Sequence, residues 1–141
     1  MPKPKLGKSQ ALVKIKAFGL NRMDLLQREG QYPVPPGASK ILGVEFSGTI
    51  AELSGEGGGK EGFKEGDEVF GLAYGGAYAE YIAVSTHMLV RKPKELTWEQ
   101  CAGIPEVSSV TKRNSLSIDQ PRLNKFPSSH RHGSQPRKPC I

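Results

Sequence analysis

Few residues in this 141-residue chain have a type and setting suited to chemistry, and most of them lie between Leu20 and Ile50. Glu45 is the lone carboxylate in the apolar run Gly43-Val44-Glu45-Phe46-Ser47-Gly48. Ionised and unpaired there, it would cost several kcal/mol, so it is expected to meet a basic or backbone donor. Asn21 precedes a short segment with Met23, Leu25 and Leu26 as apolar contacts, a setting that suits a helix N-cap. Tyr32 is a phenol held between Gly30 and Pro33, rigid enough to line a pocket or to anchor a loop. Tyr78, Tyr81 and Trp98 read as core or domain-contact aromatics.

Other candidates weaken when their neighbours are read. The run Gly55-Glu56-Gly57-Gly58-Gly59-Lys60 invites a phosphate loop, but Glu61 stands where a magnesium-binding Ser or Thr belongs, and no helix is expected to follow. A flexible hairpin loop over 54–62 accounts for it better. Cys101 and Cys140 have neither zinc spacing nor a disulfide framework and read as free thiols in a reducing compartment. His87, after Ser85-Thr86, reads as a turn residue. No set of thiolate and imidazole donors converges, so no metal site is expected.

The elements that must position these residues are short strands joined by glycine turns. Gln10 to Phe18 alternates, with Ala11, Val13, Ile15 and Ala17 on one face and Lys14 and Lys16 on the other, which predicts a half-buried strand. Asn21 to Arg28 is expected to be helical and to stop at Gly30. Pro33, Pro35, Pro36 and Gly37 then impose an exposed loop. Strand is expected over Ile41–Leu53, with Gly43 and Gly48 marking a close approach or a bulge. Further strands are expected over Glu68–Ala73, after the turn Lys64-Glu65-Gly66-Asp67, and over Ala77–Val84, after Gly75-Gly76. Thr97-Trp98-Glu99-Gln100 has the spacing of a capping box for a helix that runs on through Cys101 and Ala102 to Pro105. The expected fold class is mainly β with short helices, a partly open barrel.

Charge separates two regions. Residues 1–108 hold 13 Lys/Arg and 13 Asp/Glu, whereas residues 109–141 hold seven basic residues against Asp119 alone, which accounts for the formal net charge of +6. That tail has four prolines, six serines and six Ile, Leu, Val or Phe in 33 residues. Such a composition cannot bury enough apolar area to offset ordering entropy, so 108–141 is expected to be a disordered basic tail. Its charges are scattered and no Tyr or Trp interleaves them, which argues against nucleic acid as a partner. The basic N-terminus lacks a following apolar segment, and no run approaches the ~18 residues of a membrane span. A cytoplasmic location is expected.

Taken in order, Leu20-Asn21-Arg22-Met23-Asp24, Gly30-Gln31-Tyr32, Pro35-Pro36-Gly37, Gly43-Val44-Glu45-Phe46-Ser47-Gly48, Gly66-Asp67-Glu68-Val69, Gly76-Ala77-Tyr78-Ala79-Glu80-Tyr81 and Gly103-Ile104-Pro105-Glu106 carry a resemblance. Residues 10–107 resemble the GroES-like catalytic domain of zinc-free quinone oxidoreductases in the medium-chain dehydrogenase/reductase superfamily. The superfamily's zinc enzymes carry a cysteine where this chain has Asn21 and a histidine where it has Val44, so the resemblance implies a metal-free site. It also implies hydride transfer from NADPH to a quinone or enone, with Asn21 and Tyr32 as catalytic residues and Asn21 and Pro105 beside the cofactor.

The family continues into a Rossmann domain whose mark is a strand followed by Gly-x-Gly-x-x-Gly opening a helix, and that combination is not expected here. Resemblance ceases within a residue or two of Val107, and two strand segments that usually precede Gln10 are absent. The expectation is therefore a truncated product, inactive alone and binding no NADPH by itself. The alternative is a non-catalytic interaction module that pairs with a full-length relative, or oligomerises, through an exposed domain interface.

Overall fold

The computed structural model describes residues 3–55 and 62–108. Gln10–Phe18 is a strand, as its alternation predicts, and it sits inside the sheet rather than at an edge. Ala11, Leu12 and Val13 are all buried, so even the Lys14 face of this strand is covered at its start. The elements that follow are β1 (Gln10–Phe18), α1 (Arg22–Arg28), β2 (Glu45–Leu53), β3 (Glu68–Leu72), β4 (Tyr81–Ser85), a 3-10 turn at Thr86–Met88, β5 (Leu89–Arg91) and α2 (Trp98–Ala102).

The strands form one antiparallel sheet in the order β4-β1-β2-β3-β5, mostly sheet with few helices and not closed, in keeping with the expected partly open barrel. Its main core joins Ala11 and Val13 to Phe46, Ile50, Phe63, Val69, Ala77, Ile82, Val84 and Leu89. Helix α2 packs on β1 and β2, burying Cys101 and Ala102, and Ser47 Oγ donates to the Trp98 carbonyl at 2.6 Å to fix it there.

Local chemistry explains the boundaries. The Thr97 hydroxyl accepts from the Gln100 N–H at 3.2 Å while the Gln100 side chain accepts the Thr97 N–H at 2.9 Å, so the expected capping box is formed. Lys64-Glu65-Gly66-Asp67 is the expected turn, with the Lys64 N–H donating to Asp67 Oδ2 at 2.9 Å and Gly66 at φ +87°. The two register irregularities between β1 and β2 fall at Leu12/Val13 and at Ile15/Ala17, and Gly48 sits opposite the second. A Cβ at Gly48 would run into the Lys14 carbonyl, the close approach expected of that glycine.

Three expectations need correction. Strand does not begin at Ile41 but at Glu45, because Gly43 turns left-handed (φ +91°) and its neighbours bond out of the ladder: the Gly43 carbonyl accepts the Ala77 N–H and the Leu42 carbonyl that of Tyr78. For the same reason Ala77–Glu80 is loop, and β4 covers Tyr81–Ser85. The last helix ends at Ala102 rather than Pro105; Gly103 breaks it, and residues 105–108 make a separate helical turn with Pro at its first position. Sequence reasoning also missed β5. The glycine-rich segment 56–61 and the basic tail 109–141 lie outside the described residues.

Candidate functional site

The site grows from the start of α1. Asn21 is the extended N-cap residue (φ −118°, ψ 146°), as expected, and its carbonyl accepts the Asp24 N–H at 3.0 Å. Its own N–H donates to Asp24 Oδ2 at 2.9 Å. Asp24 is only 3% exposed, yet it is a carboxylate on a helix of seven residues. Burial is tolerable because further donors reach it: the Gly43 N–H meets Oδ1 at 3.1 Å and the Tyr78 hydroxyl meets Oδ2 at 2.7 Å. Burial first, then the hydrogen bond to Asp24, pushes the Tyr78 phenol up to about 12, so it stays a donor across the neutral range. Its ring lies 4.7 Å from that of Phe18, tilted by 42°.

Glu45 opens β2 as a second buried carboxylate, also 3% exposed. The Asn21 amide donates from Nδ2 to Oε1 at 2.9 Å, and the Glu106 N–H donates to Oε2 at 3.0 Å. The expected partner, basic or backbone, is therefore backbone, joined by a side-chain amide. A carboxylate only accepts, so the Asn21 amide must turn its nitrogen to Glu45. Gly19 completes the packing: its N–H donates to the Glu45 carbonyl at 3.2 Å, and a Cβ there would collide with the Glu45 carboxyl. Segments 19–24, 43–45 and 105–106 thus converge on two carboxylates.

Of the residues expected at the site, Asn21 reaches Glu45 through its side chain, and Pro105 precedes Glu106, whose N–H reaches the same carboxylate. Pro105 is buried at the start of the 105–108 turn, and having no N–H itself it leaves the next one, of Glu106, to reach the carboxylate. Tyr32 lies on the loop after α1 with 43% of its surface exposed, and no hydrogen bond joins it to Asn21 or Glu45. Asp24 and Tyr78 were missed as site residues. The signal for Asp24 was present, since Asn-x-x-Asp is itself a capping-box spacing; the pairing with Tyr78 spans 54 residues and has no local signature.

The arrangement can orient an amide and exclude water, but it holds two carboxylates and no cation for a phosphate. Gly57, Gly59 and Gly62 follow β2 at Gly-x-Gly-x-x-Gly spacing, yet a turn and β3 come after Gly62 instead of a helix, so no helix N-terminus is offered there. The residues around Asn21 do not fit the pyrophosphate of a dinucleotide. Among the described residues no three of His, Cys, Asp and Glu stand close enough to hold a metal ion together, and His87 lies exposed on the 3-10 turn.

Comparison with known proteins decides the lineage. The family described as alcohol dehydrogenase GroES-like domain matches residues 7–94. The chain belongs to that family. Within it, this GroES-like domain is 34% identical over 96 residues to a quinone oxidoreductase of Pongo abelii, covering 67% of this chain and 28% of the relative. It is 31% identical over 116 residues to a chloroplastic NADPH-dependent alkenal/one oxidoreductase of Arabidopsis thaliana, covering 72% and 28% of the two chains. The solved quinone oxidoreductase of Coxiella burnetii superposes with a TM-score of 0.71 at 28% identity, over 86% of this chain and 40% of that one. The quinone oxidoreductase of Thermus thermophilus, solved also in complex with NADPH, gives 0.64 at 28% identity, over 86% and 36%. The expected kinship with the N-terminal domain of medium-chain quinone oxidoreductases holds, and the chain spans about a third of the length of these relatives.

Proposed function

We propose that this GroES-like domain, residues 10–107, supplies the acceptor side of a metal-independent quinone or enone reductase that uses NADPH. The observation that carries the reading is the convergence of Asn21, Glu45 and the Pro105-Glu106 turn, three distant segments spent on holding one side-chain amide in one orientation. Such preorganisation is what positioning an easily reduced acceptor requires. Asn21 is the residue that touches acceptor and nicotinamide, Glu45 orients it, and Tyr32, exposed on its loop, lines the acceptor side. NADPH, when held by a dinucleotide-binding unit, supplies the hydride; the carboxylates at this site repel its phosphates, so the 141-residue chain neither binds it nor turns over alone.

A steady-state assay tests this. The 141-residue chain mixed with NADPH and a quinone is expected to consume NADPH no faster than buffer. Saturable turnover by this chain would overturn the reading.

A further inference from the structure

Strand β4 is an edge, paired only with β1. Two hydrogen bonds at its ends fix which way its backbone faces. The Glu80 carbonyl accepts the Ile15 N–H at 2.9 Å, and the Thr86 N–H donates to the Ser9 carbonyl at 3.1 Å. Even-numbered residues therefore turn their N–H and C=O groups towards β1, and the alternation of an antiparallel ladder turns those of Tyr81, Ala83 and Ser85 away from it. The described residues offer these outward groups no partner.

The residues that carry them are half-buried rather than fully exposed. All five residues of β4 line a cleft of about 1200 Å³, and the half-buried Ile41 and Met88 give it an apolar floor. Consecutive residues, not alternate ones, line it, so the strand's edge itself faces the space. The cleft is larger than the roughly 300–1,000 Å³ that takes a small molecule. Half-buried backbone donors and acceptors beside an apolar floor are completed by another strand, since that is the one partner that meets both at the strand spacing.

The residues around the cleft give the occupant a charge. Lys3 and Lys5 of the N-terminal arm line it, against Glu80 as the one acid, and the Lys3 ammonium sits 4.4 Å above the Tyr81 ring. Strand β4 itself, Tyr-Ile-Ala-Val-Ser, has none of the charges or prolines that keep exposed edges from pairing. The opposite edge is guarded: β5 has three residues, ends in Arg91 and runs into Lys92-Pro93.

We propose that the outer edge of β4 is a docking site for an extended peptide segment that adds as a sixth strand, with alternate apolar side chains on the cleft floor and carboxylates towards Lys3 and Lys5. The cleft borders the carboxylate network at Tyr78, but neither Asn21 nor Glu45 lines it, and the proposal does not depend on the reading of that site.

The test uses the whole 141-residue chain and a blocked peptide that alternates valine and glutamate. Binding is expected, with the Tyr81, Ala83 and Ser85 amides becoming protected from hydrogen exchange while those of β5 do not change. Ala83→Pro removes an outward N–H and none of the β1 ladder, so it is expected to keep the circular dichroism of the fold and to weaken the peptide about tenfold or more. Lys3→Glu with Lys5→Glu is expected to weaken it as well and to favour the lysine version of the peptide. Equal binding to the wild-type chain and to a folded Ala83→Pro chain would overturn the proposal, as would no binding. A wild-type dimer that Ala83→Pro converts to monomer would overturn this occupant in favour of a second copy.

Discussion

Around Asn21 all four oxygens of the two buried carboxylates receive donors from the chain itself, whereas along β4 three successive outward-facing residues turn N–H and C=O groups into a cleft that no described residue fills. Both regions border the same sheet, one at the start of its central strand β2 and the other along its edge strand β4. The difference lies in what the chain spends on them. The carboxylate region draws donors from positions 21, 43, 78 and 106, so it is finished without a partner; the β4 edge is finished only with one. A completed polar network is rigid and suits the positioning of a reacting group. An incomplete edge suits recognition.

The contrast can be broken most severely at Asp24. Asp24→Ala leaves the buried Gly43 N–H and the part-buried Asn21 N–H and Tyr78 hydroxyl without their acceptor, and a buried orphan costs about 1–3 kcal/mol. A loss of about 3 kcal/mol or more in urea denaturation is expected; a loss below about 1 kcal/mol would mean the network is not as closed as described. Tyr78→Phe is gentler, because Asp24 keeps two backbone donors, and should cost about 1–2 kcal/mol.

The same tyrosine adds a pH dependence with a definite sign. Its folded value, about 12, lies above the ordinary 10.0, so the stability it contributes is fully present below about pH 10 and is lost as pH rises towards 12. Phenolate absorbance should show a late-titrating tyrosine that Tyr78→Phe removes. A wild-type chain whose tyrosines all titrate near the ordinary value would contradict the part-buried Tyr78–Asp24 bond.

How much of this was readable in the sequence follows from the range of the interactions. The period of two in Gln10–Phe18 and the Thr97–Gln100 capping box are local, and both are found as read. Glu45 was recognisable as a buried carboxylate in need of a donor because its neighbours are apolar. Its partners were not recognisable, since they lie 24 and 61 residues away. The starts of β2 and β4 were misjudged for the same reason: Gly43, held by Asp24 and packed on Tyr78, swings residues 41–44 and 77–80 out of the ladder, and no periodicity records that. The edge character of β4 is likewise a property of strand order, which alternation alone does not encode.

The reading proposed above is that the described residues hold an acceptor side, with Asn21 aimed by Glu45, and offer no dinucleotide site. Nitrogen-15 NMR of the labelled chain tests it most directly, using duroquinone, whose ring carbons are blocked against thiol addition. The Asn21 side-chain amide signals are expected to move on adding the quinone and to stay still with NADPH, and Glu45→Gln, while still folded, should abolish the quinone response. An Asn21 amide indifferent to the quinone, or one that moves with NADPH alone, would contradict the account.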